Sequence, residues 1–196
     1  MGREILINVH SIIPCSRVNG PGKRLVVFFQ GCIRKCLGCF NPGTHSFNKN
    51  QLFSAEDIFN NFLQTDIEGI TVSGGEPFLQ ANGLLQLLKK AKEGYGLSTV
   101  VYTGFSYEEL SNLNPRTLEP SNPLSYIDVL IDGPFKDELK EPTLLARGST
   151  NQRLLFFSDR YQEEDFYMPA KVEIIISKDG TIKETGFSRI CHSRSL

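Results

Sequence analysis

No stretch of this 196-residue sequence approaches the ~18 consecutive apolar residues that a bilayer-spanning helix needs. The apolar opening Ile5-Leu6-Ile7 is interrupted by Asn8 and His10, too early for the core of a secretion signal. Gly2 invites comparison with N-myristoylation sites, but Leu6 stands where that motif requires Ser or Thr. A cytoplasmic protein with no membrane partner is expected. Neither sign of charge is in excess: 21 Lys and Arg face 22 Asp and Glu, so the overall balance has no footprint for a nucleic-acid backbone. Internal repeats and low-complexity tracts are also absent. At 40% hydrophobic and 22% charged residues, the composition is that of an ordinary globular chain, with one compact domain as the default.

Strand-length apolar runs recur at Ile5 to Val9, Leu25 to Phe29, Gly69 to Val72, Thr99 to Tyr102, Val129 to Ile131, Leu154 to Phe157 and Val172 to Ile176. Helical patterns lie between several of them. Ser54-Ala55-Glu56-Asp57 reads as an N-cap with an acid at the third helical position, opening an apolar face of Ile58, Phe59, Phe62 and Leu63. A second helix follows Asn82, with Leu84, Leu85, Leu87, Leu88 and Ala91 at helical spacing and Gly94 as its stop. Alternating strands and helices predict an α/β core of parallel βαβ units from about Leu25 to Phe157. The three prolines between Asn114 and Pro123 mark a loop. Residues 1–157 are assigned to this core with an N-terminal strand. Residues 158–196 are read as an extension packed on the same domain, with a β-hairpin around Lys178-Asp179-Gly180.

Five cysteines make an odd count, and Cys32, Cys36 and Cys39 fall within eight residues, which points to metal or redox chemistry rather than disulfides. Their C-x3-C-x2-C spacing directly follows a predicted strand, on a loop at the C-terminal edge of the sheet, where α/β proteins place their sites. Three thiolates can hold three irons of a [4Fe-4S] cluster and leave the fourth iron open, the arrangement of a catalytic centre. A structural zinc site completed by His45 and a ferredoxin-type cluster completed by Cys15 or Cys191 are the alternatives. His192, like His45, otherwise reads as a surface residue. Further on, Val72-Ser73-Gly74-Gly75-Glu76-Pro77 ends a strand in paired glycines and an acid. Glycines let backbone approach a ligand, and a carboxylate can accept from a cationic amine.

The C-x3-C-x2-C loop after the first core strand, followed about 35 residues later by Gly74-Gly75-Glu76-Pro77, resembles the radical S-adenosylmethionine (radical SAM) superfamily. The resemblance implies that Cys32, Cys36 and Cys39 ligate the cluster and that its open iron chelates SAM. Gly74, Gly75 and Glu76 would hold the methionyl amino group, and Gly38, Cys39 and Phe40 the adenine side. One departure stands out: the residue before the third cysteine, often aromatic in the superfamily, is Gly38. The stretches 18–22, 102–105, 128–135 and 147–153 further resemble the activases of anaerobic ribonucleotide reductases. That likeness implies an open, incomplete (βα) barrel, a flavodoxin- or ferredoxin-type electron donor and a polypeptide substrate. Thr103 and Gly104 are then candidates to touch SAM. Asp132, Arg147, Asn151 and Arg153 are candidates for substrate binding, against turn and ion-pair roles. Arg34 and Lys35 are candidates for docking an acidic donor.

Two functions follow from the resemblance. One is an activase that draws a hydrogen from a glycine of a reductase and leaves a glycyl radical. The other is a maturase of ribosomally made precursor peptides, modifying backbone or side chain, as in splicease-type excision. The extension after residue 157 suits the second, since a hairpin edge can take a peptide by strand addition; it can equally extend the sheet. Alanine at Cys32, Cys36 or Cys39 is expected to abolish the visible absorption of the reconstituted protein and all 5′-deoxyadenosine formation. Retained cleavage in any of the three would overturn the cluster assignment, and a loss of activity on changing Cys15 or Cys191 would reopen the ferredoxin-type reading.

Overall fold

The computed structural model describes residues 4–113, 121–176 and 179–187. Cys191, His192, Gly2 and most of the proline-rich stretch, with Pro115 and Pro120, lie outside them. None of the described helices is long and apolar enough to cross a membrane.

Hydrophobic alternation has produced a seven-stranded mixed sheet. The strands β1 (Ile7–Ser16), β2 (Arg24–Phe29), β3 (Gln51–Phe53), β4 (Gly69–Gly74), β5 (Ser98–Tyr102), β6 (Val129–Asp132) and β7 (Arg153–Phe156) stand in the order β3-β1-β2-β4-β5-β6-β7. The ladders β2–β4, β4–β5 and β5–β6 are parallel, as the alternation of strands and helices predicted. Three additions depart from that expectation. β3 and the long β1 flank the parallel core in antiparallel register, and β7 returns antiparallel to β6 without a crossover helix. The hairpin of β8 (Val172–Ile176) and β9 (Ile182–Gly186) forms a separate two-stranded sheet and does not lengthen the main one. Of the expected hairpin, Ser177 at the end of its first strand and Lys178 of its turn lie outside the described residues.

Helix α1 (Ala55–Phe62) begins where the capping pattern placed it: Ser54 Oγ accepts from the Asp57 N–H, and the Asp57 carboxylate accepts from the Ser54 N–H. Helix α2 (Ala81–Lys89) continues as a π turn to Gly94. A third, α3 (Tyr107–Leu113), lies on a stretch that the apolar pattern did not mark.

Side-chain alternation splits the sheet into two unlike faces. Leu25, Val27, Phe29, Ile70, Val72, Val101 and Leu130 meet Ile58, Phe59, Leu84, Leu87, Leu88 and Leu110 of the helices. Among the described residues the opposite face carries no α-helix, only the single 3-10 turn of Glu163–Phe166. There Val100, Val129 and Ile131 pack against Leu145, Ala146, Phe166 and Met168, while Val26 and Phe28 pack against Ile13 of β1 and against Ile175 of the hairpin. The segment after β7 therefore covers the helix-free face.

On that face, at the N-terminal ends of the strands, Arg24 is wholly buried. It donates to Thr71 Oγ1 (2.6 Å), the carbonyls of Ile70 (2.7 Å) and Pro21 (3.1 Å), Ser98 Oγ (3.1 Å) and Tyr161 Oη (3.4 Å). All its hydrogen-bond acceptors among the described residues are neutral, and burial lowers the affinity of the guanidinium for its proton. The group is retained because so many oxygens are aimed at it. Arg24→Met is expected to lower stability by about 3–5 kcal/mol by leaving these acceptors unpaired, with the urea midpoint as the measure.

Candidate functional site

The cysteine loop leaves β2 through Gln30 and Gly31. Gln30 is buried, its Nε2 donating to the Ser46 carbonyl at 2.6 Å while its Oε1 lies 2.8 Å from His10 Nδ1. Gly31, at φ +100°, donates its N–H to Thr44 (2.8 Å), and the Cys32 N–H reaches the His45 carbonyl (3.4 Å). These bonds fold residues 42–46 back along the loop and fix the direction in which it leaves the sheet. Left-handed backbone at Lys35 and Gly38 then curls the three cysteines around one space, closed by the Cys39 N–H to the Cys36 carbonyl at 3.2 Å.

The second wall is the end of β4. A Cβ at Gly74 (φ +100°) would stand 2.6 Å from the Phe29 nitrogen, and one at Gly75 would collide with the Gly31 carbonyl. In their absence the ladder runs on: Gly75 donates to Phe29 and Glu76 to Gly31, both at 2.8 Å. Glu76 follows, 1% exposed. Its carboxylate accepts from Thr103 Oγ1 (2.8 Å), the Gly104 N–H (2.8 Å) and the Phe78 N–H (3.1 Å). Burial pushes its pKa above the ordinary carboxylate value; the donors from Gly104, Phe78 and Thr103 and the nearby Arg34 oppose the shift. The side chain thus ties the ends of β4 and β5 together.

Arg34 performs a similar function from the cysteine loop. It pairs with Glu109 at 2.8 Å and lies 4.4 Å over the Phe105 ring, with its aliphatic stem where a Cβ on Gly104 would be. Arg34 Nε is buried without a partner.

Between these walls lies a cavity of 680 Å3 lined by Cys32, Cys36, Cys39 and Phe40, by Ser73 to Glu76, by Thr103 and Gly104, and by residues 184–187 of the extension. Its volume is that of a site for one sizeable organic cofactor. The donor set fits an iron-sulfur cluster. Amide N–H groups point at the sulfurs, from Asn41 to Cys39 Sγ (3.4 Å) and from Arg34 and Lys35 to Cys32, partly offsetting the burial that pushes the Cys32 thiol up. Among the described residues no three His, Cys, Asp or Glu side chains stand close enough to share one metal ion. A cubane asks for a wider triangle, because each thiolate takes a different iron.

The model of the family described as "4Fe-4S single cluster domain" matches residues 18–155. The chain belongs to this family. Relatives include the anaerobic ribonucleoside-triphosphate reductase-activating proteins of Escherichia coli (strain K12) and enterobacteria phage T4. They are 36% and 34% identical over 154 and 166 residues, covering 96% and 100% of those proteins and 74% and 81% of this chain. The Salmonella typhimurium protein of the same name is 36% identical over 151 residues, 94% of its length and 73% of this chain. The 4Fe-4S single cluster region thus ends before the segment that covers the helix-free face.

Not every residue singled out from the sequence of this 4Fe-4S single cluster protein reaches the cavity. Gly38 does not line it; its φ of +73° is left-handed backbone that disfavours any other residue, and a Cβ there would also have to displace the Asp137 carboxylate. Asp132 is buried behind the wall, accepting from the Tyr107 N–H (2.7 Å) and ion-paired with Arg153. Arg153 also spans to Glu108, whose pKa falls to about 2 beside it. Arg147 pairs with Glu141 at 2.5 Å and donates to the Gln152 carbonyl at 2.9 Å. Asn151 Nδ2 donates to Pro134 (2.8 Å), with its Oδ1 buried and unpartnered. Lys35 is exposed. His45 Nε2 is buried without a partner, and Cys15 packs beside the helical core. Wall residues that the sequence reading passed over include Asn19, Gly148, Gln152 and Phe187; the first three sit inside stretches that carried the resemblance.

Because burial raises the Glu76 pKa, the folded chain holds that proton more tightly than the unfolded one. The corresponding stability is present at acid pH and is lost as pH rises from about 4.3 through the raised value. Glu76→Gln is expected to remove this component, which urea titrations at a series of pH values would show. Glu76→Ala is expected to cost about 3 kcal/mol, by leaving Thr103, Gly104 and Phe78 donors unmet.

Proposed function

We propose that this chain is a radical SAM enzyme that abstracts a hydrogen atom from a polypeptide, installing a glycyl radical on an anaerobic ribonucleotide reductase. The observation that carries the reading is the single cavity shared by Cys32, Cys36 and Cys39 with the Gly74-Gly75 turn. Bound there, a [4Fe-4S] cluster and SAM would supply one-electron cleavage of the sulfonium to methionine and a 5′-deoxyadenosyl radical. The three thiolates hold the cluster, and the N–H groups of Arg34, Lys35 and Asn41 stabilise their charge. Gly74 and Gly75 bring bare backbone to the methionyl group of SAM. Glu76 positions that backbone and the Thr103-Gly104 turn through its three internal hydrogen bonds. Phe40 offers an aromatic face to the adenine.

Four parallel strands with helices on one face only suit the open, incomplete barrel of that superfamily, with residues 1–157 as its core and 158–196 as a segment packed across it. The exposed Lys35 and Leu37 at the loop's tip are a docking point for a flavodoxin- or ferredoxin-type donor in the cytoplasm. Asp132, paired with Arg153 across the loop's ends, and Arg147 and Asn151 within it act on substrate indirectly, by holding the loop from 133 to 152 in shape. A second reading, maturation of a precursor peptide, draws on the extension, which adds residues 184–187 to the cavity beyond the family's matched region.

Electron paramagnetic resonance of the anaerobically reconstituted protein with SAM, reductant and the ribonucleotide reductase of the same organism tests the reading. A glycyl doublet on the reductase, with 5′-deoxyadenosine in the same tube, is the expected result. Deoxyadenosine without that doublet would transfer the chemistry to short peptides, and neither product would overturn both readings.

A further inference from the structure

The cysteine cavity has a neighbour. A second cavity of 710 Å3 lies between residues 140–148 and the chain at Ala170 and Lys171, and the two share Phe40, Gly148 and Phe187 as walls. The partition is aromatic. Phe187 meets Phe40 edge-on at 6.1 Å between ring centroids and lies 6.0 Å from Tyr102, while Phe40 in turn packs on Phe135 at 5.0 Å. Gly148 makes room for this cluster, since a Cβ there would stand 2.9 Å from the Phe135 ring and 3.1 Å from that of Phe40.

Phe187 comes from the segment beyond the family's matched residues, and it is held firmly. Its N–H donates to the Lys171 carbonyl at 2.6 Å, which Gly186 permits at φ +120° because any Cβ would strike that same carbonyl. Both strands of the hairpin are pinned to the end of β1. Glu173 accepts from Ser16 Oγ (2.5 Å) and the Arg17 N–H (3.0 Å), and Thr185 Oγ1 accepts from Asn19 Nδ2 (2.8 Å). The wall is a built part of the site.

We propose that the second cavity binds an extended segment of the polypeptide substrate and that Phe187 is a specificity-determining residue, forming with Phe40 the passage through which that segment reaches the cysteine cavity. The proposal rests on the polypeptide-substrate reading above. A folded partner cannot enter a cavity of this size, so only an extended segment, advancing ~3.3 Å per residue, can carry a carbon to the reaction centre. Adjacency to the reaction cavity across the shared Phe40, Gly148 and Phe187 selects this groove, and its lining suits a peptide. Pro142, Leu144 and Leu145 supply apolar surface. Its polar lining is largely self-paired, Lys140 with Asp137 at 2.8 Å and Arg147 with Glu141 at 2.5 Å, while the Lys171 ammonium donates to the Pro142 carbonyl at 3.3 Å.

The test uses the holoenzyme and the anaerobic ribonucleotide reductase of the same organism. Leu144, 40% exposed in the groove, and Tyr95, 40% exposed on the helical side, are each replaced by the photo-crosslinker p-benzoylphenylalanine. A reductase adduct from position 144 and none from position 95 is expected. In parallel, Phe187→Ala is expected to raise the KM for the reductase by about two- to tenfold with a smaller change in kcat, and Phe187→Leu to recover part of the loss. Equal adducts from both positions would overturn the groove, as would none from 144 in a variant that still generates the glycyl radical. A fall in kcat at unchanged KM would overturn the role of Phe187. Failure of the unaltered protein to radicalise the reductase would instead sink the underlying reading, and the groove with it.

Discussion

Much of this structure depends on two backbones lying closer than any side chain would allow. Gly74 and Gly75 run against Phe29 and Gly31 so tightly that the parallel ladder continues past the end of β2 into the cysteine loop. The register of that ladder therefore sets the distance between the cysteines and everything attached to β4. Glu76 transmits the same register to β5 through Thr103 and Gly104, and Arg34 returns it to the cysteine loop through Phe105 and Glu109. The result is a ring of constraints around the cavity in which each wall is positioned by the next.

The two faces of the sheet contribute unequally. Helices bury the face of Leu25, Val27 and Phe29 in an apolar layer, while the other face carries polar and charged groups at one end and the cavity at the other. Arg24 illustrates what the helix-free face requires. A cation can be held there only because backbone carbonyls, two hydroxyl-bearing strands and Tyr161 of the covering segment converge on it. The extension thus contacts the core at opposite ends of the strands, through Tyr161 beside Arg24 and through Phe187 beside Tyr102.

The parts of the site that were legible in the sequence are those in which backbone geometry forces a residue type locally. Cysteine spacing after a strand and paired glycines at a strand end are requirements of this kind, and both locate walls of the cavity. Ser54 and Asp57 marked the start of α1 for the same reason. What could not be read were pairings across long separations. Asp132 looked like a loop acid free to meet a substrate, but its partner Arg153 arrives from the antiparallel β7, a strand whose direction no local pattern specifies. Arg147 was similarly claimed by Glu141, and Arg34 by Glu109. Phe187 carried no signal, because its place beside Phe40 arises only once the hairpin has folded back across the sheet.

The helix-free face also bears on how such a chain can acquire length. Every strand of the parallel core has its ladder partners in place before residue 157, so a segment added after β7 disturbs no register. Its entropic cost is that of ordering each added residue, about 1–2 kcal/mol of backbone freedom apiece. Apolar positions such as Phe166 and Met168 recover that cost against a surface already present. Reaction chemistry and the choice of what may approach it are thereby written in different stretches of one chain, and the second can be rewritten while the first stays as it is.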